Sequence, residues 1–274
     1  MAAGTIQAVS RLADNLRAVR ARIDRAARAA GRDPATVRLL AVSKTWPADD
    51  VRALAALGQR EFGENRVQEF LAKAGELGDV DLRWHFVGQL QRNKASAVAR
   101  TGAVVHSLDR AALIATLDRA GQEAGRPVDV LVQVDLGGPE GEAAARGGAA
   151  PEDVPALADA VASSAGLRLR GVMAVAPRGE EPGPAFARLA LIAERLRADH
   201  PGAVEVSAGM SGDLEEAIAA GATLVRVGTA LFGDRPLPCG EFEQHQPRES
   251  QQSHPPLEGR PDGDDEPTTG QTRR

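Results

Sequence analysis

Along residues 1–235, short apolar runs rich in Val and Leu are separated by stretches in which apolar positions recur every three or four residues. The runs are Val37–Lys44, Arg60–Asn65, Arg83–Gly88, Ala103–Leu108, Val128–Asp135, Leu167–Val175, Ala203–Gly209 and Thr223–Gly228. Each reads as a strand. Between them Val51-Leu54-Leu57, Leu113-Leu117, Val154-Leu157-Val161 and Leu189-Ile192-Leu196 carry helical spacing. Before the first run, Ile6, Val9, Leu12, Leu16, Val19 and Ile23 make one face of an amphipathic helix. Alternating strands and helices imply a parallel sheet, and eight repeats suggest closure. The expected fold is therefore α/β, a single (β/α)8 TIM-type barrel over 1–235 with an extra N-terminal helix. A doubly wound open sheet is the alternative. From Pro236 to Arg274 the pattern stops: seven prolines and repeated Gln, Glu, Asp and Ser leave only Leu237, Cys239, Phe242 and Leu257 as apolar residues. Such a segment buries too little surface to offset its ordering entropy and is expected to be a disordered tail.

Composition narrows the classes. The chain has 274 residues, 43% hydrophobic, enough for one large core. A net charge of -5 offers no footprint for nucleic acid, which needs clustered, uncompensated Lys and Arg. Cys239 is the sole cysteine, so no intrachain disulfide forms, in keeping with a reducing cytoplasm. No apolar run is long enough for a secretory signal or a membrane span. A cytoplasmic monomer is expected, and no metal, since no His, Cys or carboxylate cluster has ligand spacing for one.

In (β/α) barrels chemistry sits where strands end, and that rule selects the candidates. Lys44 closes AVSK, and a desolvated amine there can attack a carbonyl; a solvated lysine is the bland alternative. After the seventh run comes Ser207, and after the eighth Gly228 and Thr229 precede a short helix. Their amides with the Ser207 hydroxyl would form the phosphate site common in such barrels, or Gly228 and Gly233 simply punctuate a turn. Ser211 caps a helix or touches the phosphate. Asp213 and Glu216 read as a capping box. Arg226 shares a strand face with Gly228 and could donate to a pyridine nitrogen, keeping it unprotonated; otherwise it sits in an ion pair. Asn65 could bond a ring or phenolic oxygen, or cap the next helix. Glu64 reads as structural or as a helix-start charge. His85 shares a face with Val87 and reads as a packed, satisfied histidine.

Five ordered motifs, AVSKTWP, FGENRVQE, WHFVGQLQRNK, GMS and LVRVGTALFG, resemble the pyridoxal phosphate homeostasis proteins, the YggS/PROSC group, over Ile6 to Arg235. The resemblance implies a fold-type III barrel like the alanine racemase N-terminal domain, with pyridoxal 5'-phosphate held as a Schiff base on Lys44. It implies intracellular cofactor homeostasis, with apo pyridoxal-phosphate enzymes as recipients, rather than a catalysed reaction. Alanine racemases draw a tyrosine from a second, β-rich domain as one of two opposed acid/base groups. This chain has no tyrosine and no room for that domain, so weak racemase activity is at most the alternative. Ala208 stands where relatives usually carry Met, and Asp135 where asparagine is usual. The Gly/Ala-rich loop 137–150 puts any contact from Asp135 or Arg146 in doubt, and neither belongs to the expected site.

Overall fold

A computed structural model describes residues 2–137 and 147–233. The expected tail Pro236–Arg274, with Cys239, and the loop residue Arg146 lie outside the described residues. Eight strands form one closed, all-parallel barrel in sequence order: β1 Arg38–Val42, β2 Glu61–Glu64, β3 Arg83–Phe86, β4 Val104–Leu108, β5 Val128–Val134, β6 Leu167–Ala174, β7 Glu205–Ser207 and β8 Leu224–Val227. β8 returns to β1 with Leu40 opposite Arg226 and Ala41 opposite Val227. Every expected run became a strand, and the open-sheet alternative falls with the β1/β8 pairing.

Helices connect the strands outside the barrel: α1 Ala2–Ala29, α2 Ala48–Ala56, α3 Val67–Glu76, α4 Arg92–Arg100, α5 Ala111–Glu123, α6 Val154–Ala162, α7 Pro182–Asp199, α8 Leu214–Ala219 and α9 Thr229–Phe232. Because α9 is a single turn, it cannot cover the β8/β1 seam alone. α1 lies against α2, α8 and α9 and fills that place in the ring, burying Leu12, Leu16, Val19, Ile23 and Ala27. These residues recur at the helical period, which explains why the N-terminal segment is an amphipathic helix. Among the described residues no helix is long and apolar enough to cross a membrane.

Two separate environments result from strand alternation. Strand residues facing the helices, including Phe62, Trp84 and Phe86, pack with Phe70 of α3 in the main core, with ring centroids 5.7–6.2 Å apart. Residues facing inward include a small apolar cluster of Val104, Leu131 and Met173. Much of the remaining interior is polar: His85, His106, Ser207 and Arg226 are all buried. The barrel is tight at β6/β7, where a Cβ on Gly171 would fall 1.8 Å from the Glu205 carbonyl and φ is +150°. Only glycine fits there.

Candidate functional site

Four neighbouring strands, β7-β8-β1-β2, carry all six candidate residues at or just past their C-terminal ends. Lys44 lies two residues beyond β1, half-buried, in a turn whose next residue, Thr45, has φ +70°. Asn65 follows β2 directly. Its Oδ1 is buried without a hydrogen-bond partner, an arrangement that asks for a ligand or a water. The β2 and β3 ends approach so closely that a Cβ on Gly88 would lie 2.0 Å from the Asn65 carbonyl. Across the β8/β1 seam Gly228 caps α9, and a Cβ there would meet the Val42 carbonyl at 3.2 Å. Thr229, exposed, opens α9, whose first amides have no partner in the helix's own ladder. The Ser211 hydroxyl stands 3.4 Å from the Ala230 amide.

Arg226 and Ser207 sit deeper. Arg226 Nη1 donates to the Ser207 carbonyl (2.6 Å) and hydroxyl (2.9 Å), and Nη2 donates to the Ala174 carbonyl (2.8 Å). No carboxylate pairs with it among the described residues, so the ion-pair alternative is not what the fold built. Burial lowers its pKa to about 10, which still leaves the guanidinium charged at neutral pH. Ser207 is fully buried, and its hydroxyl also contacts His106 Nδ1 at 3.0 Å. The network continues from His106 Nε2 to His85 Nδ1 (2.8 Å), with His85 Nε2 3.7 Å from Glu61 Oε1. Arginine can only donate, so the Ser207 proton turns toward His106 Nδ1. His106 Nε2–H then donates to His85, and His85 Nε2–H faces Glu61. Burial holds both histidines below the ordinary imidazole range; for His106 the neighbouring His85 and the Arg226 charge disfavour protonation further.

Several expectations change. Asn65 does not cap a helix, because α3 takes Arg66 as its N-cap. Asp213 makes no side-chain cap to α8; its Oδ1 instead accepts the Met210 amide, so the capping box fails in favour of the SAGMS turn. His85 is packed as expected, but its Nε2 has no hydrogen-bond partner. His106 stands outside the expected residues, although its place two residues after Val104 on one strand puts it on the same face. So does a cluster of buried Ser43, Glu64 and Lys73 with half-buried Glu69 beneath the Lys44 turn, which no strand periodicity reveals.

Chemically, the rim brings together an amine, an unpartnered amide acceptor, a glycine-lined helix start and a buried cation. These are parts for a ligand with a carbonyl and an anionic group. The chain matches the family model of the alanine racemase N-terminal domain over residues 15–236. A pyridoxal phosphate homeostasis protein of Pseudomonas aeruginosa is 48% identical over 227 residues, covering 83% of this chain and 97% of the relative. One from Escherichia coli is 40% identical over 230 residues, covering 82% and 97%. The solved structure of PipY of Synechococcus elongatus with pyridoxal phosphate bound superposes with a TM-score of 0.71 at 39% identity, covering 81% of this chain and all of that one. Alanine racemase of Streptomyces coelicolor shares the barrel alone, with a TM-score of 0.62 and 22% identity over 82% of this chain and 58% of its own. With the barrel, the rim and these relatives in agreement, the chain belongs to the family of pyridoxal phosphate homeostasis proteins.

Proposed function

We propose that this chain binds pyridoxal 5'-phosphate at the β7-β8-β1-β2 rim and carries it as a store for other enzymes, with Lys44 as the covalent anchor. The observation that carries this reading is the meeting, on adjacent strand ends, of Lys44, the unpartnered Asn65 Oδ1 and the Gly228–Thr229 helix start. The cofactor supplies an aldehyde that condenses reversibly with a lysine amine as a Schiff base. The Gly228 and Thr229 amides with the Ser211 hydroxyl would hold the phosphate, because a helix start without a side chain at its cap favours an anion. The Ser207 hydroxyl is taken up by Arg226 and His106 and would serve the ring end of the site by fixing Arg226. Arg226, which keeps its own proton, would donate to the ring nitrogen, leave it unprotonated and make the ring a poor electron sink. Asn65, whose Oδ1 is unpartnered, would orient the ring edge.

The enzyme reading lacks its chemistry. Racemisation needs proton donors on both faces of the reacting carbon, and a chain without tyrosine lacks the phenol that the racemase arrangement uses. The named relatives are homeostasis proteins, which supports holding and release of the cofactor. Apo enzymes of the same cofactor are then the recipients, and the carrier acts as a cytoplasmic monomer with no nucleic-acid or membrane partner. The test sets cofactor transfer to an apo-enzyme against racemisation of alanine and serine. Transfer without appreciable turnover is expected; turnover abolished by Lys44→Ala would overturn the carrier reading.

A further inference from the structure

Beneath the Lys44 turn lies a charged cluster that bonds both chain neighbours of that lysine. Lys73, on α3, is buried, and its Nζ donates to the Ser43 carbonyl (2.7 Å), Glu64 Oε1 (2.7 Å) and Glu69 Oε1 (2.8 Å). An ammonium has three protons, and here each has an acceptor. The Ser43 hydroxyl donates to the same Glu64 oxygen at 2.7 Å, and the Thr45 amide donates to Glu69 Oε1. Both neighbours of Lys44 are therefore tied to one ion cluster, Ser43 through its carbonyl and hydroxyl and Thr45 through its amide.

Two further observations show that the turn is held rather than relaxed. Thr45 is the sole non-glycine residue with positive φ among the described residues, a conformation a β-branched side chain avoids unless its surroundings impose it. Glu64 is fully buried with Oε2 unpartnered, and burial pushes its carboxyl up against the opposing pull of Lys73 and Ser43. An ion pair as buried as Lys73–Glu64 is a poor device for stability, since apolar residues of similar volume often serve as well or better. Its place under one turn suits a positioning task instead.

The geometry points to Lys73, Glu64 and Glu69 as a positioning triad that locks the Ser43-Lys44-Thr45 turn and so holds the Lys44 amine ready to capture the cofactor aldehyde and slow to release it. This inference rests on the reading of Lys44 as the anchor. None of the three touches the cofactor in this scheme; they act through the backbone on either side of Lys44. Because Glu69 imposes the left-handed conformation on residue 45, a glycine there, free to adopt it unaided, substitutes for part of the clamp.

The test compares wild type with Glu69→Ala, Glu69→Gln, Lys73→Met and the pair Glu69→Ala/Thr45→Gly. In the cofactor-free proteins, hydrogen exchange at the Thr45 amide is measured. In proteins loaded with pyridoxal phosphate, the release rate into an aldehyde trap and the pH midpoint of the visible band are followed. Glu69→Ala and Lys73→Met are expected to release the cofactor at least tenfold faster, with a shifted midpoint. Glu69→Ala also exposes the Thr45 amide to exchange, and the added Thr45→Gly recovers part of the slow release. Glu69→Gln retains the shape and an acceptor but not the charge facing Lys73, so an intermediate rate is expected from it even where the harsher variants fail to fold. Unchanged release and midpoint in Glu69→Gln or Lys73→Met, in a wild type whose reduced label maps to Lys44, would overturn the triad while leaving the anchor intact. A wild-type label elsewhere would overturn the anchor itself.

Discussion

Arg226 is the residue on which the interior and the rim depend together. Its guanidinium supplies three hydrogen bonds to groups that have no access to water, on Ser207 and Ala174. Arg226→Leu leaves those acceptors unsatisfied, and with hydrogen bonds to a charged group contributing about 1.5–3 kcal/mol, a loss of about 3 kcal/mol is expected after partial relaxation. Urea unfolding at constant slope should show it as a lower midpoint, and cofactor affinity should fall with it. A midpoint within error of wild type would mean that Arg226 holds nothing in place. The sequence marked Arg226, Lys44 and Asn65 because strand alternation and strand ends are local properties. It could not show that Ser207 turns into the barrel, because that direction depends on His106 from a strand three places away. Nor could it reveal Lys73, whose helical spacing says only that it lies one turn from Glu69.

Among elements, the β2 and β3 ends set the tightest tolerance around the site. A methyl on Gly88 would collide with backbone of Asn65 rather than with a flexible side chain. Gly88→Ala is therefore expected to cost about 2–3 kcal/mol in overpacking and to displace Asn65. Cofactor titration should show at least a roughly tenfold weaker Kd, equivalent to about 1.4 kcal/mol. An unchanged Kd would remove Asn65 from the site. The elements themselves were legible, since eight runs with period-two or continuous apolar character were separated by helical patterns. Their exact ends were less so: β1 stops at Val42, and just beyond it the Ser43 hydroxyl and carbonyl bond the Glu64–Lys73 cluster, which the sequence does not show. The role of α1 also depended on assembly. Its amphipathic face was evident, but its use in closing the ring followed from α9 being too short to do so.

For the whole molecule, the polar interior gives stability a pH dependence. His85 and His106 are held neutral by burial, with pKa values below the roughly 6.5 of an unfolded chain. The unfolded state thus takes up protons first as pH falls. Their contribution is complete above about pH 6.5 and is lost on acidification toward the lowered folded values, by about 1.4 kcal/mol per pH unit for each histidine. Glu64, shifted upward by burial, works in the opposite sense, and comparing wild type with His106→Asn cancels it. The stability slope between pH 6.5 and 5 should be shallower in His106→Asn; equal slopes would mean that His106 is already protonated in the fold. The anchor on which the carrier role depends can be read directly. Pyridoxal phosphate is added to the purified protein, the visible band is recorded, borohydride is added, and the modified residue is located by mass spectrometry. A visible band that borohydride discharges, with the label on Lys44, is expected; a label on Lys73 or Lys94, or no label at all, would contradict it.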